Sequence, residues 1–526
     1  MAGDGKRVGV AELMAATGVP FGTSGARGRV ADMTDRVCYA YTAGFLQYLE
    51  AQGQHPPGGR VALGGDLRPS TGRILQAVAA AVRDRGGEPV HCGRLPSPAL
   101  ALFGMEEGIP TAMVTGSHIP DDRNGIKFTQ AAGEILKDDE AGIRAQRVWL
   151  PADRFRPSGA LRVGTRRVLP PPSEEASERY AQRYLRGFPR GCLEGLRVGV
   201  YEHSAVGPDL LCRVLEGLGA AVERRGRSER FVPVDTEAVR PEDEELARRW
   251  AAEGRVDALV STDGDGDRPL VGDEAGRWLR GDVAGILVAR FLGADAVAVP
   301  VSANTAVELS GWFRRVVRTR IGSPYVIEGM ARARQEGFAT VVGYEANGGF
   351  LTASSVRRAG VALSPLPTRD ALVVILSLLV QAARAGVPVS GLVRELPARF
   401  TASGRVGDFP TAASAAALER IGGRPEGESR RAFAEAFAEA LGREAGEVAA
   451  LDRTDGLRAI FRNGEILHVR PSGNAPELRC YVEAASEARA RELLRGCLAV
   501  LERWRGGAVS FTPPPRPGRR PSPGTP

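Results

Sequence analysis

Cysteine is scarce in this sequence, which has six cysteines among 526 residues and no pair spaced as Cys-x-x-Cys. Disulfide-rich secreted domains and zinc-binding modules need dense or closely spaced cysteines, so the sequence argues against both and favours a reducing compartment. It also lacks the apolar N-terminal core of a signal peptide. The best candidate for a membrane span, Ala371 to Ala382, is shorter than the roughly 18 apolar residues that a membrane helix needs. We therefore expect a cytoplasmic protein without membrane association.

Lysine is scarcer still, because the chain contains only Lys6, Lys127 and Lys137, so a lysine within a motif stands out. Arginine supplies almost all of the net charge of +7. An excess of positive charge suits nucleic acids or small anionic ligands. Since no basic run alternates with aromatic residues, we expect small phosphorylated partners and no nucleic acid.

Short apolar runs alternate with helical stretches along most of the chain, as in Val61 to Gly64 followed by Arg73 to Arg85. This alternation indicates βαβ units and largely parallel sheets, hence the α/β class. A chain of 526 residues is too long to fold around a single hydrophobic core. At about 150 residues per domain, this length predicts three or four domains. Composition places α/β domains at 1–160, 175–279 and 280–385, an α+β domain at 390–505 and a disordered Pro/Arg tail at 506–526.

A polar stretch from Thr115 to Lys127 follows an apolar run that is typical of a strand. The carboxyl end of a strand is where α/β sheets bind ligands, and Gly116 would let the chain turn sharply and expose the Ser117 oxygen. His118 is adjacent for orientation or proton transfer, and Lys127 suits an anion contact or proton transfer. The alternative is a serine that caps a helix. A hydrolase triad is disfavoured, because there is no Gly-x-Ser-x-Gly elbow.

Three aspartates, Asp263, Asp265 and Asp267, alternate with glycines after a second apolar run. Carboxylates this close repel one another unless a divalent cation neutralises them, and hard oxygen ligands select Mg²⁺, Ca²⁺ or Mn²⁺ over zinc. An EF-hand is disfavoured, because Arg268 occupies the sixth position, where glycine is required, although Glu274 falls at the twelfth. A catalytic Mg²⁺ loop is the preferred interpretation, and a metal-free acidic turn is the alternative.

Glu345 and Asn347 flank Ala346 beside two glycines, after a third apolar run. A carboxylate and an amide at this spacing can bind two neighbouring sugar hydroxyls. The alternative is a polar turn between a strand and a loop.

The stretch from His468 to Arg479 combines guanidinium, hydroxyl and amide donors around a glycine, which is typical of a phosphate cradle. An ordinary hairpin turn is the alternative. The cradle consists of Arg470, Ser472, Gly473, Asn474 and Arg479.

Near the N-terminus, a glycine-flanked polar loop ends in Arg27, which can also bind a phosphate.

In their order along the chain, the five stretches resemble the α-D-phosphohexomutase superfamily, and the resemblance spans residues 21 to about 503. It implies four domains around a central cleft, three sharing an α/β fold and the fourth α+β. Gly116, Ile119, Pro269 and Ala475 depart from residues common in the superfamily and, with the loops around Glu345 and Ser472, are similar to a bacterial phosphomannomutase branch.

The resemblance also implies a role for each candidate residue. Ser117 would carry the phosphoryl group, and a phosphoserine oxygen would complete one Mg²⁺ site with Asp263, Asp265 and Asp267. Catalytic roles in charge neutralisation, proton transfer and phosphate contact would fall to Arg268, His118, Lys127 and Arg27. Substrate contacts would come from Glu345 and Asn347 at the sugar, from Arg320 and Ser323 in orientation, and from Arg470, Ser472, Gly473, Asn474 and Arg479 at the non-transferring phosphate.

The resemblance implies the interconversion of mannose 6-phosphate and mannose 1-phosphate through a hexose 1,6-bisphosphate, on the route to GDP-mannose. Phosphoglucomutase and phosphoglucosamine mutase activities are the alternatives within the superfamily. A non-catalytic sugar-phosphate-binding protein is the alternative from another class. We expect hexose phosphates as the partners and a monomer or dimer.

Overall fold

The computed structural model describes residues 5–22, 24–162, 169–442, 446–472 and 476–506. The chain forms two compact units, Met1–Pro397 and Ala398–Pro526. The first unit contains three mixed sheets and the second contains one antiparallel sheet. This confirms the predicted combination of α/β domains with a C-terminal α+β domain. The exact domain limits stay predictions, and the two compact units divide after Pro397.

The three sheets of the first unit share one strand order. In each, the first strand lies between the second and third, parallel to both, and the fourth strand pairs antiparallel with the third. The repetition confirms the prediction of three similar α/β domains. The strands, sheet by sheet, are β3 (Arg60–Gly65), β4 (Glu88–Arg94), β5 (Thr111–Val114) and β6 (Arg123–Gln130); β9 (Arg197–Tyr201), β10 (Ala221–Arg225), β11 (Ala258–Thr262) and β12 (Pro269–Gly272); β13 (Ala296–Pro300), β14 (Arg315–Thr319), β15 (Val341–Tyr344) and β16 (Phe350–Thr352).

Additional strands extend or flank these sheets. Two of them, β2 and β7, pair with β6 and widen the first sheet, and the other four form two small antiparallel ladders. They are β2 (Gly25–Arg29), β7 (Gly133–Glu134), β1 (Gly5–Gly9) with β8 (Arg147–Pro151), and β17 (Val356–Arg358) with β18 (Val361–Leu363).

Helices cover the sheets of the first unit, and apolar residues from all three domains join in one buried core that includes Phe103, Leu215 and Leu376. The helices are α1 (Val10–Thr17), α2 (Asp35–Ala51), α3 (Thr71–Asp84), α4 (Ser97–Glu107), α5 (Lys137–Arg144), α6 (Glu175–Gly187), α7 (Pro208–Gly217), α8 (Pro241–Ala252), α9 (Gly281–Leu292), α10 (Ala306–Leu309), α11 (Ser323–Gln335), α12 (Ala371–Ala385) and α13 (Val389–Val393).

The most apolar helix, α12, contains the stretch that came closest to a membrane span in the sequence. The Asp370 side chain caps its N-terminus by accepting from the N–H of Leu372, and Gly386 ends it with a left-handed φ of 63°. Its side chains are almost all buried in the common core. Among the residues that the structure describes, no helix is both long and apolar enough to cross a membrane.

The second unit is an antiparallel sheet with helices packed around Phe433, Phe437 and Trp504. Two of its helices, Glu426–Ala436 and Ala438–Leu441, separate at Phe437. The φ of Phe437, −112°, is not helical. The centre of its ring lies 4.9 Å from that of Phe433 and 5.2 Å from that of Trp504. The elements, with strands in spatial order, are β19 (Phe400–Val406), β23 (Leu478–Ala484), β22 (Ile466–Pro471), β21 (Leu457–Phe461) and β20 (Val448–Asp452), and α14 (Thr411–Gly422), α15 (Glu426–Ala436), α16 (Ala438–Leu441) and α17 (Glu487–Arg505).

The three candidate loops of the first unit occupy the same place in their sheets. Ser117 lies between β5 and β6, the three aspartates between β11 and β12, and Glu345 with Asn347 between β15 and β16. Each loop therefore connects the third strand of its sheet to the antiparallel fourth strand. Because it leaves the carboxyl end of a parallel strand, each lies where α/β sheets bind ligands.

Candidate functional site

Ser117 is fully buried and has a left-handed φ of 56°, which is costly for a residue other than glycine. Its Oγ donates to Oδ2 of Asp263 at 2.6 Å and lies 3.3 Å from Nδ1 of His118. The expectation that Gly116 makes the turn and exposes the serine oxygen is wrong on both counts. Ser117 itself takes the left-handed conformation, because surrounding contacts hold its loop, and its hydroxyl faces the aspartates rather than solvent.

Gly116 has a different purpose, which is to make room for an arginine that the sequence did not single out. A Cβ at Gly116 would lie 2.6 Å from Cζ of Arg68. The Arg68 side chain is buried against the Ser117 loop and pairs with Asp66 at 3.0 Å. The signal in the sequence is the pair Asp66 and Arg68 directly after β3, at the ligand-binding edge of the first sheet.

Asp263, Asp265 and Asp267 are all buried, and each offers a carboxylate oxygen within 4.8 Å of the others. Lys127 donates to Oδ2 of Asp265 at 2.5 Å and to Oδ2 of Asp267 at 2.7 Å. Ser97, at the start of α4, donates its hydroxyl to Oδ2 of Asp265 at 2.6 Å. The structure thus brings together the predicted metal ligands, the predicted serine and the rare lysine.

The carboxylates and the ammonium group perturb one another strongly. Burial, reinforced by Asp265 and Asp267, raises the pKa of Asp263 well above its ordinary value. Burial acts the same way on Asp265, but Lys127 outweighs it and lowers the pKa of this carboxyl. Burial alone would lower the pKa of Lys127, whereas Asp265 and Asp267 raise it. The lysine is therefore held as a cation among acidic groups.

Two observations show that these residues fit a divalent cation. The Oδ1 atoms of Asp265 and Asp267 are buried and have no hydrogen-bond partner among the described residues. A buried carboxylate oxygen without a partner is costly, and coordination to a cation would remove that cost. The donors are all hard oxygen atoms, which suit Mg²⁺, Ca²⁺ or Mn²⁺.

His118 lies between the serine and a group of charged side chains. Arg268 donates to its Nδ1 at 2.9 Å, which leaves the ring proton on Nε2, 3.9 Å from Oδ2 of Asp235. Burial, with Arg268 as the next cause, lowers the pKa of His118 to about 3, so the ring is neutral. Burial and the same Arg268 lower the pKa of Arg27 to about 10. Asp235, in the connection between β10 and α8, was missed in the sequence because nothing around it forms a motif.

Glu345 is buried and pairs with Arg369, whose Nε lies 2.6 Å from Oε2 of Glu345. Arg369 is also 3.6 Å from Oδ2 of Asp267, so it links the sugar loop to the aspartates. Asn347 uses Oδ1 to accept from the N–H of Gly349 at 2.9 Å. Arg369 was missed in the sequence, since one arginine among many carries no local signal.

Ser323 and Arg320 lie at the start of α11 and just before it. The Ser323 hydroxyl donates to Oε2 of Glu134 at 2.8 Å. Glu134 also accepts from the hydroxyls of Ser24 at 3.0 Å and Thr368 at 2.7 Å, so it joins the first domain to the third. Arg320 is exposed, with its guanidinium 5.9 Å from the Tyr325 ring centre.

The second unit carries the predicted phosphate cradle. Arg470 and Arg479 are direct partners across the antiparallel pair β22 and β23, so two positive side chains start from adjacent positions. Such a pair is unfavourable without anionic partners. Arg470 lies 3.2 Å from Asp455, and Arg479 lies 3.3 Å from Glu477. Ser472 is buried directly after β22, and the predicted Gly473 and Asn474 lie outside the described residues.

Comparison with known proteins places the chain in a family. Models of the phosphoglucomutase/phosphomannomutase family match it as alpha/beta/alpha domain I over residues 18–147, alpha/beta/alpha domain III over 280–400 and C-terminal domain over 415–496. The sheet that carries the aspartates lies between the first two matches.

Individual relatives agree with these matches. A phosphomannomutase of Sinorhizobium fredii is 43% identical over 484 residues, which cover 92% of this chain and 99% of the relative. A phosphoglucosamine mutase of Anaeromyxobacter dehalogenans is 29% identical over 514 residues, covering 91% and 98%. A crystal structure of a phosphoglucomutase/phosphomannomutase family protein from Burkholderia thailandensis has the same fold, with a TM-score of 0.69 at 20% identity and coverage of 92% and 97%. The chain belongs to the phosphoglucomutase/phosphomannomutase family of phosphohexomutases.

Proposed function

We propose that this enzyme is a phosphomannomutase, which interconverts mannose 6-phosphate and mannose 1-phosphate through a phosphorylated Ser117 and a hexose 1,6-bisphosphate. The observation that carries the proposal is the buried hydrogen bond of 2.6 Å from the Ser117 hydroxyl to Asp263, beside two more carboxylates and Lys127. The 43% identity to a relative named phosphomannomutase supports mannose as the sugar.

The reaction needs two phosphoryl transfers in opposite directions. In the first, the bond between phosphorus and Ser117 Oγ breaks while a sugar hydroxyl oxygen bonds to phosphorus and loses its proton. In the second, Ser117 Oγ bonds to the other phosphorus of the bisphosphate and loses its proton, while the bond from that phosphorus to the sugar oxygen breaks and the sugar oxygen takes up a proton. We assign proton transfer at Oγ to Lys127, which is buried and cationic beside the Ser117 loop: it gives its proton to Oγ in the first transfer and, then neutral, takes it back in the second.

The charge of the transferring group must be balanced within the site. Asp263, Asp265 and Asp267, with a phosphoserine oxygen, would hold Mg²⁺, which when bound supplies positive charge to the phosphoryl oxygens. Arg268 and Arg27 add fixed positive charge, and burial together with the Arg268 contact keeps His118 neutral beside Ser117.

Substrate binding is assigned to loops other than the one that carries Ser117. Glu345 and Asn347 would bind sugar hydroxyls, with Arg320 and Ser323 in orienting roles. The phosphate that is not transferred would be held by the cradle. We assign the cradle to Arg470, Ser472, Gly473, Asn474 and Arg479.

Mass measurement of the intact purified protein tests the mechanism. We expect one covalent phosphate (an increase of about 80 Da), lost in Ser117→Ala together with mutase activity. Ser377→Ala is a matched control, because Ser377 is equally buried but lies within α12. It should keep both the phosphate and the activity. Full activity in Ser117→Ala would refute the proposal, and a protein without phosphate or turnover would indicate a sugar-phosphate-binding protein.

Coupled assays with mannose 1-phosphate, glucose 1-phosphate and glucosamine 6-phosphate test the sugar. We expect the highest kcat/KM with mannose 1-phosphate. A preference for glucosamine 6-phosphate would support the phosphoglucosamine mutase alternative, the activity for which the relative at 29% identity is named. Equal rates on the glucose substrate would contradict a mannose-specific enzyme.

A further inference from the structure

Arg68 makes an unusually large number of contacts with the Ser117 loop. Its side chain is fully buried, and its Nε pairs with Oδ2 of Asp66 at 3.0 Å. Its terminal nitrogens donate to four backbone carbonyls, three in the loop after β5 and one at Arg123, the first residue of β6. The acceptors are Pro120 at 2.7 Å and Arg123 at 3.2 Å for one terminal nitrogen, and Ser117 at 2.8 Å and Ile119 for the other.

Three of these carbonyls belong to the irregular loop after β5, and the fourth belongs to Arg123, which begins β6 opposite Arg29 of β2. The Ser117 carbonyl is buried, where a missing donor is costly, and the same guanidinium also binds the carbonyls of Ile119, Pro120 and Arg123 farther along. Only a planar group with several fixed donors can reach four carbonyls at once, which lysine cannot do.

Asp66 extends the same support to the residues before Ser117. Its Oδ2 accepts from the hydroxyl of Thr115 at 2.8 Å and from the N–H of Gly116 at 3.3 Å. The pair of Asp66 and Arg68 therefore contacts the chain on both sides of Ser117. A left-handed φ at a serine persists only where the surroundings hold it, and this pair supplies that constraint.

The other face of the guanidinium is covered by the second domain. The ring of Phe231 lies over Arg68, with its centre 4.0 Å from Cζ. The aromatic face excludes water from the guanidinium and adds a favourable cation–π contact. Arg68 is thus enclosed between Gly116, its carbonyl acceptors and a ring from the domain that carries the aspartates.

We propose that Arg68 is a positioning residue for phosphoryl transfer, which holds the Ser117 loop so that Oγ faces Asp263. The inference rests on the proposed function of Ser117 as the phosphoryl carrier. Arg68 would affect the transfer step and leave the binding of the sugar phosphate to other loops.

Arg68→Lys keeps the charge but loses the fork of donors. We expect kcat to fall about 100-fold with KM for mannose 1-phosphate changed less than twofold, because a displacement of about 1 Å at the reacting atom costs that much. The matched control is Arg73→Lys. Arg73 also lies in the first domain and pairs with Asp35 at 2.6 Å and with the carbonyls of Val30 and Met33, but it holds a different loop. The Arg73→Lys substitution should lower Tm while changing kcat less than twofold.

Hydrogen exchange followed by mass spectrometry gives a second measurement that does not depend on turnover. In Arg68→Lys, peptides covering residues 115–123 should exchange at least tenfold faster than in the wild type, while peptides covering 30–35 should not. Arg73→Lys should give the reverse pattern. Arg68→Ala with added methylguanidinium should recover at least tenfold of the lost kcat, since the small cation can occupy the space of the missing group.

A kcat within twofold of the wild type in Arg68→Lys would overturn the inference. An equal loss of kcat in Arg68→Lys and Arg73→Lys would overturn it too, because both would then act through stability alone. The inference would also be overturned if Arg68→Lys raised KM without lowering kcat, or if hydrogen exchange over residues 115–123 were unchanged. Failure of the proposed function is a separate result, since it appears as activity in Ser117→Ala whatever Arg68 does.

Discussion

The hydroxyl of Ser117 donates a hydrogen bond of 2.6 Å to Oδ2 of Asp263, although 146 positions separate the two residues in the chain. They lie in equivalent loops of two successive sheets, each between the third strand and the antiparallel fourth. The repeated fold therefore brings two loops of different chemistry together at the same kind of sheet edge. Lys127, on β6, completes the contact by binding Asp265 and Asp267.

The aspartate cluster predicts a specific dependence on Mg²⁺. Treatment with EDTA should abolish turnover, and Mg²⁺ should restore it. Asp265→Asn should weaken Mg²⁺ binding at least about tenfold, because affinity in oxygen sites follows the number of charged ligands. Isothermal titration calorimetry and the Mg²⁺ dependence of kcat measure this.

Asp273→Asn is the control for that experiment. Asp273 is also buried, but it accepts from backbone N–H groups of its own turn and pairs with Arg277 at 2.8 Å. Its loss should lower stability and leave the Mg²⁺ affinity unchanged. Equal weakening in both variants would argue against metal binding by the cluster.

Lys127 should be essential for turnover, because we assign proton transfer to it and its charge balances Asp265 and Asp267. Lys127→Met should reduce kcat by about 10²- to 10⁴-fold, the usual contribution of a positioned acid or base. Steady-state kinetics measure the change. Lys137→Met is the control, since Lys137 pairs with Glu140 at 2.8 Å on α5, and its kcat should stay within twofold. A Lys127→Met enzyme with normal kcat would remove the lysine from the mechanism.

Arg479 should contribute to binding of the sugar phosphate through the cradle. Arg479→Gln should raise KM by about 10- to 100-fold, because a hydrogen bond to a charged group contributes about 1.5–3 kcal/mol. The amount of phosphate on Ser117 should not change. Arg405→Gln is the control, because Arg405 contacts the same Glu477 at 3.3 Å but is well exposed. If both variants raise KM equally, the effect comes from overall charge and not from the cradle.

His468 predicts a pH dependence of the stability of the second unit. Burial lowers its pKa from 6.5 to about 4, its Nε2 donates to the carbonyl of Asp455 at 2.6 Å, and its Nδ1 has no partner among the described residues. The unfolded chain thus binds a proton that the folded chain does not. The stabilisation is full above pH 6.5 and is lost between pH 6.5 and pH 4, by about 1.4 kcal/mol per unit.

Urea unfolding across this pH range tests the prediction, with Trp504 in the core of the second unit as the probe after the other four tryptophans are replaced by phenylalanine. His468→Gln should be less stable at pH 7 but should lose about 1.4 kcal/mol per unit less on acidification. Identical pH slopes in the two proteins would show that His468 is not the titrating group.

Several features of the site could be predicted because they depend on neighbours in the sequence. The alternation of Asp263, Asp265 and Asp267 with glycine indicates a metal loop by charge repulsion alone, and the structure places these carboxylates together. Lys127 stood out because the chain has so few lysines. The conformation of Ser117 was not predictable, because its φ depends on Asp66 and Arg68, about fifty residues earlier in the chain.

The hydrogen-bond and ion-pair partners of the predicted residues were harder to predict from the sequence. Ser323 was expected to contact substrate, and its hydroxyl donates to Glu134 in the first domain. Glu345 was expected at the sugar, and one of its oxygens binds Arg369. Neither partner lies in a motif, and an arginine in this arginine-rich chain carries no signal of its own. Which polar groups meet is set by packing between domains, which no local pattern reports.

The sequence by itself determined the α/β class, the C-terminal α+β unit, the order of the candidate loops and the chemistry that each can perform, because strand periodicity and motif composition are local properties. Tertiary structure alone decided that Ser117 faces Asp263, that Lys127 binds two of the aspartates and that Arg68 holds the serine loop. The physical reason is that buried charges and carbonyls must be satisfied by whatever groups the folded sheets bring within hydrogen-bonding distance, and most of those groups are distant in the chain.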